Sequence, residues 1–146
     1  MIDKKWIGHE LPAAEMVVER GRLLFFAKAI GETNPVYTDS EAAKAAGHAD
    51  LLAPPTFLFS AELDGGGVEA LLTQLELPIA KILHGEQSFT YVKPVCAGET
   101  VKISAKITDI YDKKNGALEF VVKTSEARNQ KGEAVAEMRT VIVVRN

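Results

Sequence analysis

Apolar and polar residues alternate without a break from Val101 to Ile107. Val101, Ile103, Ala105 and Ile107 fall on one side, Lys102, Ser104 and Lys106 on the other. A period of two predicts a strand with one buried face. Asn115-Gly116 follows, a pair that supplies the positive φ angles of a tight hairpin. The next strand is expected from about Ala117 to Glu126, with Leu118, Phe120 and Val122 sharing a face. Asn129-Gln130-Lys131-Gly132 marks a second turn, and a strand rich in β-branched residues runs from about Glu133 to Val144. These three form an antiparallel meander. A strand over about Leu83 to Val92 joins them, since Pro94 and Ala97-Gly98 leave only a short connection to the strand starting near Glu99.

The first half has a different period. Leu11 to Val18 reads as a short strand. Leu23, Phe26, Ala27 and Ile30 fall at i, i+3, i+4 and i+7, the spacing of an amphipathic helix expected from Glu19 to Ile30. Gly31 stands where a helix-ending glycine belongs. Asp39 or Ser40 caps a short helix over Glu41 to Ala46, ended by Gly47. Ala53-Pro54-Pro55-Thr56 is an extended approach to Phe57-Leu58-Phe59-Ser60-Ala61, an apolar run that reads as a buried helix. Gly65-Gly66-Gly67 breaks or bends it, and helical character resumes from Val68 to Leu75. Helices first and a strand meander after predict an α+β domain, an antiparallel sheet wrapped around a central apolar helix. A chain of 146 residues suits one such domain over 1–146.

Composition excludes several classes. The chain is 47% hydrophobic and 25% charged, an ordinary globular balance. The net charge is −3 with no dense basic stretch, which argues against nucleic-acid binding. No apolar stretch approaches the ~20 residues of a spanning helix, and no apolar run follows the N-terminal lysines, so neither membrane insertion nor a signal peptide is expected. Cys96 is the single cysteine, which rules out an intrachain disulfide and a cysteine metal cluster. A reducing, cytoplasmic setting is the expectation.

The densest group of chemistry-bearing residues is Gly31-Glu32-Thr33-Asn34-Pro35-Val36-Tyr37-Thr38-Asp39. Asn34-Pro35 is a turn signal between two helices. Two readings stand: Glu32 and Tyr37 face a cleft between the helices, or this is a surface loop whose Asn and Asp serve as caps.

The same segment resembles the G-D-x-N-P-[LIV]-H motif of the MaoC-like and (R)-specific enoyl-thioester hydratases. Ala53-Pro54-Pro55-Thr56-Phe57 resembles the approach to that family's central helix. His84-Gly85-Glu86-Gln87 and Lys93-Pro94-Val95-Cys96-Ala97-Gly98-Glu99 resemble the H-G-E-Q and R-P-v-x-a-G-D segments of its fatty-acid-synthase-like dehydratase branch. The matches run in order from about Trp6 to the C-terminus. The resemblance implies a hot-dog fold and the addition of water to a trans-2-enoyl thioester, or its reverse. It implies a substrate carried on coenzyme A or acyl carrier protein, with no metal and no cofactor. Glu32 and Tyr37 fall on the catalytic Asp and His of the motif, and Asn34, Pro55, Thr56, Phe57 and His84 on substrate-binding positions. Backbone N–H groups near Thr56 and Phe57 would face the enolate-like oxygen, since helix N-termini favour negative charge. Pro55 suits a first helical position.

Two departures from the motif alter that chemistry. Glu32 keeps the carboxylate but adds a methylene, and acid–base geometry is sensitive to displacements of ~1 Å. Tyr37 replaces a histidine, and a phenol titrates near ~10 against ~6.5 for an imidazole. Some members of the branch lack the pair and resemble the inert half of a double hot dog, whose partner supplies the catalytic residues. A homodimer, or a heterodimer with a second MaoC-like chain, is therefore expected; the free edge of a hot-dog sheet also wants cover. The alternatives are a homodimeric enzyme with Glu32 as base and Tyr37 or His84 orienting water or substrate, a non-catalytic acyl-thioester-binding protein, and a hot-dog thioesterase using Glu62 or Asp64.

The remaining candidates have plainer readings. His84, Glu86 and Gln87 suit strand-packing or interface roles, His48 an exposed loop with a possible coenzyme A phosphate contact, and His9 a solvent-facing position. Cys96 has no basic neighbours that would make it a nucleophile. Gly65-Gly66-Gly67 lacks the GxxxxGK[ST] pattern of a phosphate loop; it reads as a flexible bend that would widen room for a long acyl chain.

Overall fold

The computed structural model describes residues 1–146. In chain order the elements are β1 (Glu10–Val17), α1 (Arg20–Ala29), α2 (Ser40–Ala45), α3 (Phe57–Asp64), α4 (Gly67–Gln74), β2 (Ile82–Tyr91), β3 (Thr100–Lys113), β4 (Leu118–Asn129) and β5 (Ala134–Arg145). One-turn 3₁₀ segments lie at Lys4–Trp6, Pro35–Tyr37 and Ile79–Lys81. The five strands form one antiparallel sheet in the order β1-β3-β4-β5-β2. The β3–β4 turn carries Lys114, Asn115 and Gly116 at φ 54°, 54° and 84°, the left-handed backbone that Asn-Gly signals. The meander and the joining strand are where the alternation put them.

The sheet wraps α3, which supplies Phe57, Leu58 and Ala61 to the core. This is the hot-dog arrangement. One apolar cluster gathers α3 with Val101, Ile103, Ala127 and Met138. A second gathers Leu71 and Leu75, from α4 and just beyond it, with Ile107, Val121 and Ile142. Both draw on the same face of the sheet, because Ile107 pairs with Lys123, Lys123 with Thr140 and Thr140 with Gln87 across four strands. No helix is long and apolar enough to cross a membrane.

Four expectations need correction. In β4 the inward face carries Val121, Lys123, Ser125 and Ala127, whereas Leu118 and Phe120 lie on the other face. Ile30 is half exposed, so the stripe on α1 ends at Ala27. Pro55 stands outside α3, before the capping residue Thr56. Gly65-Gly66-Gly67 does break the helix, but only Gly66 needs the left-handed region, at φ 80°. A β-carbon on Gly65 would lie 2.3 Å from Ala14 Cβ, and one on Gly67 2.9 Å from Glu62 Cγ. Those two glycines permit close packing and open no room for a chain.

Candidate functional site

Loops from both halves of the chain meet at the start of α3. Leu52 bridges Cys96, the Ala53 N–H donates to the Val95 carbonyl at 2.8 Å, and the Leu52 N–H donates to the Val36 carbonyl at 3.1 Å. These bonds bring the Asn34-Pro35 turn against the segment after β2. Between them lies a cleft of about 260 Å³, lined by Tyr37, residues 52–55, Leu58 and residues 91–95. Most of its walls are apolar. The Tyr91 hydroxyl donates to the Pro55 carbonyl at 2.9 Å, tying the end of β2 to the approach to α3.

The start of α3 offers two amides. The Phe57 N–H is already donated to the Pro54 carbonyl at 2.9 Å, but those of Thr56 and Leu58 meet no acceptor in the protein. No acidic residue occupies the first turn, so the positive end of the helix is uncompensated. Of the two amides expected to face an oxyanion, Thr56 is therefore available and Phe57 is not; Leu58, whose side chain lines the cleft, is the second.

Glu32 does not line the cleft. Its Oε1 accepts the N–H groups of Thr33 and Asn34, each at 2.9 Å, and so caps its own loop. Asn34 Oδ1 accepts the Val36 N–H and Asp39 Oδ1 the Glu41 N–H. The acidic and amide side chains of this segment serve as caps, and Tyr37 lines a cleft that lies not between α1 and α2 but between its own turn and the segment after β2. Pro55 also lines the cleft. Phe57 is buried, edge-on to Phe26. His84 lies on β2, stacked on Phe59, with Nε2 3.2 Å from Gln87 Oε1. The same oxygen accepts the Thr140 hydroxyl at 2.8 Å. His48 is half-buried after α2 and His9 packs edge-on to Trp6; neither lines the cleft.

The titratable groups on the cleft lining are Tyr37, Tyr91 and Lys93. Burial, and then the nearby Tyr37, push the Tyr91 phenol up from its ordinary value. Lys93 is paired with Glu133 at 2.6 Å. Neither α3 carboxylate reaches the cleft. Asp64 pairs with Arg22 on the surface, and Glu62 is buried against Lys123 and Ser125 of β4. Tyr91 and Lys93 were not singled out from the sequence. The available signal was that Gln87, Phe89 and Tyr91 share the inward face of β2.

Comparisons with known proteins agree with this architecture. The family described as FAS1-like, dehydratase domain region, matches residues 5–138. A UPF0336 protein of Streptomyces avermitilis is 37% identical over 145 residues, covering 99% of this chain and 95% of that protein. A chain of the C-terminally truncated HadBC (3R-hydroxyacyl-ACP dehydratase) complex of Mycobacterium tuberculosis superimposes with a TM-score of 0.78 at 26% identity, covering 94% and 96% of the two chains. A MaoC-like dehydratase superimposes at 0.81 with 22% identity, over 97% of this chain and 42% of that longer one.

Proposed function

The chain belongs to the FAS1-like dehydratase-domain family, and from that premise we propose that it is a MaoC-like subunit that binds an acyl thioester, with the acid–base pair supplied by a partner chain. One observation carries this reading: the cleft offers phenols and a paired ammonium, with no carboxylate and no imidazole on its lining. Dehydration of a 3-hydroxyacyl thioester needs a base that is ionised near neutral pH and an acid that returns the proton. Two phenols, one of them pushed up by burial, do not provide that pair. The cleft does provide apolar walls for an acyl chain, and the helix start beside it leaves two amides free for a carbonyl oxygen.

A partner fits the rest of the molecule. β2 is an edge strand of ten residues, paired on one side only, with Leu83, Tyr91 and Val92 exposed along and beyond it. The HadBC neighbour is itself a complex. The thioesterase reading loses its candidates, since Glu62 and Asp64 are both committed to ion pairs away from the cleft.

The test uses the purified chain with crotonyl-coenzyme A, following enoyl absorbance and thiol release, alone and with a partner bearing G-D-x-N-P-x-H. Binding without turnover, and hydration on adding the partner, is the expected result. Fast hydration by the chain alone, abolished by Glu32→Gln, would overturn it.

A further inference from the structure

The strangest feature of the core has no part in the cleft. Glu62 of α3 and Lys123 and Ser125 of β4 are all at most 1% exposed. The Ser125 hydroxyl donates to Glu62 Oε1 at 2.6 Å, and Lys123 Nζ lies 2.8 Å from the same oxygen, off the direction of a hydrogen bond. Glu62 Oε2 has no partner. A buried ion pair with unmet bonding capacity is a poor way to stabilise a core, because desolvation consumes much of the Coulomb gain. Apolar residues of the same volume would pack as well. What the pair adds is direction.

Direction is what α3 lacks. It has eight residues, its buried side chains other than Glu62 are Phe57, Leu58 and Ala61, and the helix stops at Gly65. Apolar contacts are non-directional, and a slip of one residue turns a helix by about 100°. Glu62 sits between the two apolar clusters, reaching across 63 residues of sequence to Ser125. Phe59, three residues before it, stacks on His84 of β2. Leu58, four residues before it and so on the same side of the helix, lines the cleft. Gly67 completes the seat, since any β-carbon there would meet Glu62 Cγ. Glu62 does not line the cleft.

We propose that Glu62, Lys123 and Ser125 form a polar pin that fixes the rotation of α3 on the sheet and thereby positions Leu58 and the free amides of Thr56 and Leu58 at the cleft. Glu62 and Lys123 are positioning residues. The positioning half of this inference rests on the acyl-thioester reading of the cleft; the pinning half does not.

The test compares the full chain with the volume-matched variant Glu62→Leu/Lys123→Met/Ser125→Ala. Amide hydrogen exchange over residues 57–64 reports the pin, and calorimetric affinity for crotonyl-coenzyme A reports the cleft. The expected result is a Tm equal to or above the parent's, exchange of the α3 amides at least tenfold faster while the β3–β4 amides keep their protection, and affinity about tenfold weaker. The charge-swapped variant Glu62→Lys/Lys123→Glu is expected to recover both, a rescue that general loosening would not give. Parent-like α3 exchange in the apolar variant would overturn the pin. Faster exchange with parent-like affinity would overturn the positioning role. If the parent itself binds no acyl thioester, the reading of the cleft fails while exchange still decides the pin. Should the apolar variant not fold, Glu62→Met takes its place: it keeps about the same size but removes both the acceptor for Ser125 and the charge facing Lys123. Parent-like α3 exchange there also refutes the pin.

Discussion

A β-carbon placed on Gly67 would stand 2.9 Å from Glu62 Cγ and 3.1 Å from the Glu62 carbonyl oxygen. Gly67 is buried at the first position of α4, so the conflict cannot be relieved toward solvent. This contact makes the glycine run a packing device as well as a helix break. It also couples the end of α3 to the start of α4 through one side chain.

Gly67→Ala is therefore expected to destabilise the chain by about 1–3 kcal/mol, the usual range for overpacking. Gly21 is the internal control. It lies within α1 with nothing within 4 Å of its would-be β-carbon, so Gly21→Ala is expected to stabilise by about 0.5–1 kcal/mol. Urea unfolding midpoints check both. Gly67→Ala at or above the parent's midpoint would remove the packing argument.

Asp50 gathers three elements. It accepts from Arg20 at the start of α1, from the Ser40 hydroxyl at the start of α2, and from the Leu51 N–H. The Arg20 guanidinium first, and then the Leu51 N–H, hold its carboxyl down to about 2 from 3.8. A depressed folded-state value means the stabilisation is complete above the unfolded value and is lost as pH falls through the folded one. Asp50→Asn should therefore be less stable than the parent at pH 7, with the gap closing from about pH 4 toward pH 2. Unfolding midpoints of both proteins across that range decide it; a gap that stays constant refutes the assignment.

Glu119 holds two distant segments together. Its Oε1 accepts the Ile2 N–H at 2.5 Å and its Oε2 accepts the Asn146 side-chain amide at 2.7 Å. Burial pushes this carboxyl up, but the bonds from Asn146 and Ile2 outweigh it and hold the group below its ordinary value. Glu119→Ala removes the acceptor of the Ile2 N–H, while Asn146 keeps its bond to the Gly116 carbonyl, so the cost is about 0.5–1.5 kcal/mol. Residues 2–7 should then exchange their amides faster while the β3 and β5 amides keep their relative order. Unchanged exchange in that segment would show that Glu119 holds nothing there.

The strands were legible because their solvent faces are polar in strict alternation, as in Val101 to Ile107. β4 was misread because its inward positions carry Lys123 and Ser125, while Phe120 and Val122 occupy the other parity. Those polar residues face Glu62, a partner some 60 residues away that no local pattern encodes. The cleft was half legible. Tyr37 and Pro55 stand in motifs whose frame the fold preserves. That Glu32 lies off the cleft lining was not legible, because two amides of its own loop claim its carboxylate, and a linear motif does not show where a side chain spends its hydrogen bonds. Tyr91 was missed because its role arises only when the end of β2 meets the approach to α3.

That meeting gives the last prediction. Tyr91 is half exposed, and its hydroxyl makes one bond to the protein, to the Pro55 carbonyl. Tyr91→Phe keeps the ring against the cleft and deletes the bond, which is expected to cost about 0.5–1.5 kcal/mol of stability, toward the lower end because water can reach the freed carbonyl. Pro55 lies immediately before Thr56, whose amide is one of the two free donors, so loosening Pro55 should also blur that donor's position. Affinity for crotonyl-coenzyme A should fall a few-fold. Because burial and Tyr37 raise the Tyr91 phenol above its usual range, the bond stays protonated through neutral pH. The parent's affinity, in so far as this bond sets it, should then show no Tyr91 titration between pH 6 and 9, and the Tyr91→Phe deficit should be constant over that range. Calorimetric titrations at several pH values check both. A deficit that appears only at one end of the range would mean that Tyr91 ionises there, and the geometry drawn for the cleft mouth would be wrong.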